Sequence, residues 1–363
     1  MPFFCVLGVA LSCVIAAEKV APEKAEASLD GTLLWYDCKD LLMDGKGWTD
    51  TASFYDRLPS KAQGKVPELD WRFGHCTAGF CVYFSTDASS VQVRWTLLPD
   101  ENLAMLHMPA TGVSGVDLYA RIGAGPWQFV NNGRPSAVSN TADFAPPAGS
   151  ECLLYFPLYN GVKSVEIGIS KGKGLWTPDR AAFGRRKSVA FYGTSIVQGA
   201  CASRPGMAFT AIVGRQLDVE VINLGFSGSG KMEPEMADLL AELNPSVYVL
   251  DCLWNMSVAQ VSERTKPFVG KLRAAHPDTP ILLVEEANFQ NICPTEKGLA
   301  LRRVMDEMAS QGVKHMHLLT SQDVLGDDRE ATVDGVHPND LGMKRQAAAV
   351  TKALVPLVTA HDS

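Results

Sequence analysis

Apolar and polar residues alternate one by one across Val91-Gln92-Val93-Arg94-Trp95-Thr96-Leu97. A period of two turns one face of a strand into a core and the other toward solvent. Short apolar runs recur at Val116 to Ile122, Trp127 to Val130, Cys152 to Leu158 and Val162 to Ile169, separated by Gly, Pro and Asn turns. From roughly Leu29 to Arg180 the pattern predicts an antiparallel β-sandwich. Trp35, Trp71, Trp127 and Trp176 fall in this half. They read mainly as filling for its core, with sugar contact as the alternative.

From Lys187 onward the period changes. Apolar strands at Val189 to Tyr192, Val219 to Leu224, Val247 to Leu253, Ile281 to Val284 and His315 to Leu319 alternate with helical stretches. The helices lie near Ala208 to Leu217, Pro234 to Leu243, Val258 to His276, Thr295 to Gln311 and Leu341 to Val358. Regular strand-helix alternation predicts a parallel sheet covered on both faces, an α/β unit of three layers. Ligands bind such sheets at the carboxyl ends of the strands. The linker between the halves is predicted between Thr177 and Arg186.

Phe3 to Ala17 is apolar and uncharged, and Ala16-Ala17 precedes Glu18. This reads as an export signal with small residues at its cleavage site, too short to span a membrane. No Lys or Arg precedes the apolar stretch, which departs from the usual signal. Cys13 offers a lipid-anchor site, but Ala10-Leu11 before it fits that poorly. The chain thus divides into a signal at 1–17, a sandwich at 18–185 and an α/β unit at 186–363, exported to the periplasm or beyond the cell.

Composition narrows the function. The 363 residues are 46% hydrophobic and 20% charged, enough to bury sizeable cores. The formal net charge of -7 argues against nucleic acid or an anionic membrane as partner. Nine cysteines become seven once Cys5 and Cys13 leave with the signal, so they cannot all pair internally. One or two disulfides or a set of buried thiols both fit. Cys76 and Cys81 form no metal signature.

Two segments carry candidate chemistry. Gly193-Thr194-Ser195-Ile196-Val197-Gln198-Gly199 sets a serine in a glycine-flanked turn directly after an apolar strand. It is not a Gly-x-Ser-x-Gly elbow, because Val197 stands where that motif needs glycine. Asp334-Gly335-Val336-His337-Pro338-Asn339 places an aspartate three residues before a histidine. A serine hydroxyl needs a base, and the base needs a carboxylate to orient it. A loop in which Asp and Asn merely cap the following helix is the plainer alternative. None of the other six histidines has an aspartate three residues earlier.

Asn223 to Gly228 ends the second strand of this half, and Asp251 to Asn255 ends the third. The Gly228 N–H and the Asn255 side-chain amide are neutral donors suited to an oxyanion hole with the Ser195 N–H. Gly225 to Lys231 fits a phosphate loop, but Met232 stands where a metal-binding hydroxyl is needed. Glu285 and Glu286 are adjacent on a strand, so they point to opposite faces and cannot flank one bond.

In this order, the four blocks at Ser195, Gly228, Asn255 and Asp334/His337 resemble the SGNH hydrolase superfamily, the GDSL-type esterases and lipases. The likeness spans roughly residues 187 to 358. The first half resembles the sandwich module found before some carbohydrate-directed members. The resemblance implies a flavodoxin-like SGNH fold and a Ser195-His337-Asp334 triad. It also implies an oxyanion hole of Ser195, Gly228 and Asn255, and hydrolysis of short acyl esters without metal or cofactor. Export and the sandwich extend this to acetyl groups, on a small molecule or a polysaccharide. Two blocks depart from the family spelling, with Gly-Thr-Ser-Ile for Gly-Asp-Ser-Leu and Leu-Trp-Asn-Met for Gly-x-Asn-Asp. The alternative is a non-catalytic carbohydrate-binding protein that keeps the fold. Reaction of Ser195 with a serine-directed phosphonate separates the two.

Overall fold

The computed structural model describes residues 17–99, 102–179, 187–322 and 324–359. The expected signal, apart from Ala17, and most of the expected linker lie outside these residues. The first half holds β1 (Ala17–Lys19), β2 (Glu26–Ala27), β3 (Leu33–Asp37), β4 (Leu42–Asp44), β5 (Cys81–Thr86) and β6 (Val91–Leu97). It continues with β7 (Val116–Arg121), β8 (Gln128–Gly133), β9 (Ser139–Phe144), β10 (Glu151–Tyr155), β11 (Val162–Ser170) and β12 (Leu175–Pro178). These strands form two antiparallel sheets. One runs β1-β12-β5-β10-β7-β8 with β4 also on β5, and the other runs β2-β3-β11-β6-β9. The sandwich core between them is built on Trp95, Tyr36, Phe84, Val93, Leu118 and Ile167.

The two sheets differ in what covers their outer faces. β6 keeps its alternation, with Val91, Val93, Trp95 and Leu97 buried and the residues between them half-buried. By contrast, Cys81 to Phe84 and Cys152 to Tyr155 are buried without a break. Even-numbered members of these runs enter the sandwich core, while Cys81, Tyr83, Leu153 and Tyr155 join a cluster containing Phe191, Ile196 and Phe209 from the second half. The larger sheet is therefore covered on both sides, which is why β5 and β10 read as continuous apolar runs.

The second half adds β13 (Ser188–Gly193), β14 (Glu220–Gly225), β15 (Val247–Asp251), β16 (Ile281–Val284) and β17 (Met316–Leu319). All pair in parallel in the order β14-β13-β15-β16-β17, the flavodoxin-like arrangement expected from the sequence. Helices Phe209–Leu217 and Asp340–Thr359 pack on one face through Phe209, Ile212, Met343 and Leu354. Pro234–Leu240, Val258–Ala275 and Glu296–Ser310 pack on the other through Leu240, Phe268 and Leu301. Ser257 opens the longest of these with a reciprocal capping box to Gln260. Among the described residues no helix is long and apolar enough to cross a membrane. The seven described cysteines are all thiols, six of them buried.

Polar contacts lock the halves together. Arg57, 1% exposed, donates from Nε to the Cys76 carbonyl, from Nη1 to the carbonyls of Asn223 and Gly225, and from Nη2 to that of Phe73. Burial lowers its guanidinium to about 10, so it remains charged at neutral pH. Asp117 in β7 is fully buried, and its Oδ2 accepts from Arg204 Nη1 and the Gly206 N–H, both at 2.9 Å. The guanidinium of Arg204 lies 3.8 Å from the Phe129 ring centroid, and that of Arg215 lies 4.0 Å from the Tyr119 centroid. Aromatic and cationic planes thus alternate across the join.

Replacing Arg57 by Met keeps the bulk but leaves buried carbonyls of both halves without their donor. Each such group costs about 1–3 kcal/mol. A loss of at least about 3 kcal/mol in urea unfolding is expected, and a loss below 1 kcal/mol would show that the carbonyls find other partners.

Candidate active site

The serine turn is built from its own residues. The Thr194 hydroxyl accepts from the Ile196 N–H at 3.3 Å and caps the four-residue helix Ser195–Gln198 directly after β13. Tyr159, from the sandwich half, donates its hydroxyl to the Ser195 carbonyl at 3.2 Å. Ser195 is 7% exposed.

The histidine loop is equally self-contained. Asp334 Oδ1 accepts the N–H groups of Val336 and His337 at 3.0 and 2.8 Å, while Oδ2 accepts from His337 Nδ1 at 2.8 Å. Burial alone would raise this carboxyl, but the His337 N–H, its imidazole and the Val336 N–H outweigh it and hold Asp334 at about 2. A carboxylate only accepts, so it fixes the proton on Nδ1 and leaves Nε2 as the acceptor. That nitrogen lies 3.0 Å from Ser195 Oγ. Helix capping falls to Asn339 instead, whose Oδ1 accepts the Gly342 N–H at 3.1 Å. The loop therefore does both jobs weighed from its sequence, with different residues.

Two tethers place this loop over the serine. The Cys201 N–H donates to the Pro338 carbonyl at 2.9 Å, and Ser203 donates its N–H and hydroxyl to Asp340 at 2.8 and 2.6 Å. Chain leaving the serine helix is thus tied to the first and third residues after His337, Pro338 and Asp340.

Gly228 lies in the turn after β14 with φ +72°, a conformation that favours glycine. At Gly230 a Cβ would come within 2.0 Å of the Gly193 carbonyl oxygen, so only glycine lets this turn rest on the end of the serine's strand. Asn255 donates its side-chain amide to the Ser229 carbonyl at 2.7 Å, which leaves its second amide hydrogen for another acceptor. Gly228 and Asn255 thus lie on the turns after β14 and β15, the two strands paired on either side of the one that delivers Ser195.

The competing motifs resolve physically. The buried Glu233 carboxylate accepts the Lys231 N–H at 2.7 Å, the Ser229 hydroxyl at 3.3 Å and the Tyr192 hydroxyl. An internal anion thus takes the donors that a phosphate loop would offer. Glu285 and Glu286 follow β16 rather than lying on it, and both carboxylates are committed to the helix Glu296–Ser310 and its cap, Glu285 to Arg302 and Glu286 to Thr295, each at 2.6 Å.

Three further groups take positions around the site that their local sequence assigns no role. Asp117 sits inside Gly115-Val116-Asp117-Leu118-Tyr119, where a carboxylate in an apolar strand was the available signal that a buried cation partner exists. His107 reaches the imidazole of His337, with ring centroids 5.4 Å apart, from a loop without periodicity. Asp251, paired in register with Gly193, is buried, accepts from Gln346 at 3.1 Å and faces the charge of Glu286.

A parallel sheet in this order, with a hydrogen-bonded Ser-His-Asp chain at its carboxyl end, defines a serine-hydrolase type of α/β protein. Residues 186–355 match the GDSL-like lipase/acylhydrolase family, and residues 33–175 match the N-terminal GxDLY domain of SGNH-hydrolase-type esterases. Gly115 to Tyr119 spell that second family's name. A crystal structure of a protein from Bacteroides ovatus ATCC 8483, described as a GDSL-like lipase, is 31% identical with TM-score 0.82, over 90% of this chain and 98% of that one. The chain belongs to the GDSL-like lipase/acylhydrolase family. A salicylyl-acyltransferase from a tetracycline biosynthetic pathway shares the fold at 17% identity, TM-score 0.69, over 94% of this chain and 98% of that one. A family two carbohydrate esterase from Cellvibrio japonicus does so at 13% identity, TM-score 0.53, with the same coverage. No curated protein matches the chain.

Burial first, and the Glu286 carboxylate second, raise Asp251 to about 7. Its folded value lies above the ordinary carboxylate range near 3.9, so its contribution to stability is complete below that range and is lost as pH rises through about 7. Asp251→Asn keeps an acceptor for Gln346 without the charge. The melting temperature of this variant relative to wild type is expected to climb between pH 4 and pH 7.5, whereas a constant difference would exclude the shift.

Proposed function

We propose that the protein hydrolyses short-chain acyl esters, with acetyl groups on carbohydrates as its substrate class, through Ser195, His337 and Asp334. The observation that carries this reading is the unbroken chain from Ser195 Oγ to His337 Nε2 at 3.0 Å and from Nδ1 to Asp334 at 2.8 Å.

In this reading His337 Nε2 takes the proton of Ser195 Oγ as that oxygen attacks the ester carbonyl. Negative charge on the former carbonyl oxygen is met by the N–H groups of Ser195 and Gly228 and by the Asn255 amide. His337 then gives its proton to the departing alcohol, and the acyl group stays on Ser195. Water enters, loses a proton to Nε2 and releases the acid. Asp334 stays ionised throughout, which favours the imidazolium at each transfer.

The carbohydrate half of the reading is supported by the fold shared with the Cellvibrio japonicus carbohydrate esterase and by the preceding sandwich. Export, expected from the apolar N-terminal stretch, is consistent with a polysaccharide substrate.

Acetate release from an aryl acetate and from acetylated mannan or xylan tests both halves. Ser195→Ala is expected to reduce kcat by at least about 10³-fold with an unchanged melting temperature. Equal rates in wild type and variant would remove Ser195 from the mechanism. Asn255→Ala is expected to lower kcat about 10²-fold with little change in KM, as for a donor that acts in the transition state. A rise in KM alone would instead make Asn255 a ground-state contact.

A further inference from the structure

Besides Tyr159, a loop of the sandwich half reaches the catalytic residues, at the imidazole of His337. Met105 and Met108 pair across a two-residue tip, with N–H to carbonyl distances of 2.9 and 3.2 Å, and Met108 is buried and anchors it. His107 is exposed on that tip, and its ring lies over that of His337 at an angle of 55°. Cys201 lies near the same imidazole, and its N–H donates to the Pro338 carbonyl. One ligating atom from each of His107, Cys201 and His337 lies within 4.8 Å of the other two.

We propose that these three side chains form an inhibitory site for a thiophilic divalent cation, Zn²⁺ above all, that switches the esterase off reversibly. Two imidazoles and a thiolate are a borderline-soft set suited to zinc and disfavoured by magnesium or calcium. Tetrahedral zinc with nitrogen and sulfur ligands spaces them roughly 3.5 Å apart. His107 is exposed on its tip, so its side chain can rotate to shorten its own separations from the other two. His337 Nδ1 is committed to Asp334, so its free nitrogen is Nε2, the one that faces Ser195. A metal on Nε2 occupies the lone pair that accepts the serine proton, so zinc binding and ester cleavage exclude each other. On binding, the Cys201 thiol gives its proton to solvent as the sulfur–zinc bond forms, and water takes the fourth position. Oxidation states do not change.

This inhibition rests on the proposed esterase mechanism, but the binding does not, so the two are measured separately. Co²⁺ is titrated into the full chain as a spectroscopic substitute for zinc, and aryl acetate hydrolysis is followed against Zn²⁺ with Mg²⁺ as control. A thiolate-to-cobalt charge-transfer band is expected in wild type and not in Cys201→Ser. Zn²⁺, but not Mg²⁺, is expected to suppress hydrolysis, and EDTA to restore it. Losing a ligand is expected to cost no less than the tenfold or more lost with an outer-shell partner. Cys201→Ser and His107→Ala should therefore each need at least about tenfold more Zn²⁺, judged against their own metal-free rates. His107 sits on an exposed tip, so His107→Ala keeps the test decisive if Cys201→Ser fails to fold. No band in folded wild type, or equal Zn²⁺ sensitivity in wild type and His107→Ala, overturns the site. A band in a protein without ester hydrolysis keeps the metal site and removes the esterase reading, whereas hydrolysis indifferent to Zn²⁺ does the reverse.

Discussion

The strand ends beside Ser195 are held to the sandwich by a charged guanidinium that is 1% exposed. Arg57 comes from the sandwich half, yet two of its hydrogen bonds end on Asn223 and Gly225, the closing residues of β14. A buried cation is tolerated only while its donors are occupied. The end of β14 is thereby fixed relative to the sandwich, and with it the turn that carries Gly228. The Gly230 turn rests on Gly193, so the same constraint passes to the strand that delivers Ser195.

The second anchor works from the opposite side. Asp117 holds Arg204 and Gly206, in the segment that leaves the serine helix, and Ser203 in that segment holds Asp340. His337 is thus placed over Ser195 by a relay of contacts that starts in β7. Three hydrogen bonds inside the Asp334 loop set the imidazole's orientation, while the longer relay sets its position. Orientation is local and position is global, and a proton transfer at 3.0 Å needs both.

Much of this was legible in the chain. Every strand and helix expected after Lys187 is present, because a buried parallel sheet imposes apolar runs and helices between them impose the longer period. The spacing of Asp334 and His337 revealed their contact because it closes within one turn of backbone. The outer face of the larger antiparallel sheet was not legible. Cys81 to Phe84 reads as buried on both sides, but nothing local tells which surface covers the second. Asp117 and Arg204, or His107 and His337, are separated by too much chain for any period to link them. Asn255 was visible as a candidate donor, whereas the bond that steadies it runs to Ser229 on another strand end.

Because Tyr83, Leu153 and Tyr155 interdigitate with residues of the parallel half, the join behaves as interior rather than as an interface. Recombining this catalytic half with a foreign carbohydrate-binding module would therefore mean carrying the larger sheet along, strand for strand. The smaller sheet, with its alternating β6 and half-buried outer side, offers a surface that evolution or an engineer can redecorate more freely. Variation in such a chain is accordingly steered toward loop tips like Met105–Met108, and away from exchange of whole domains.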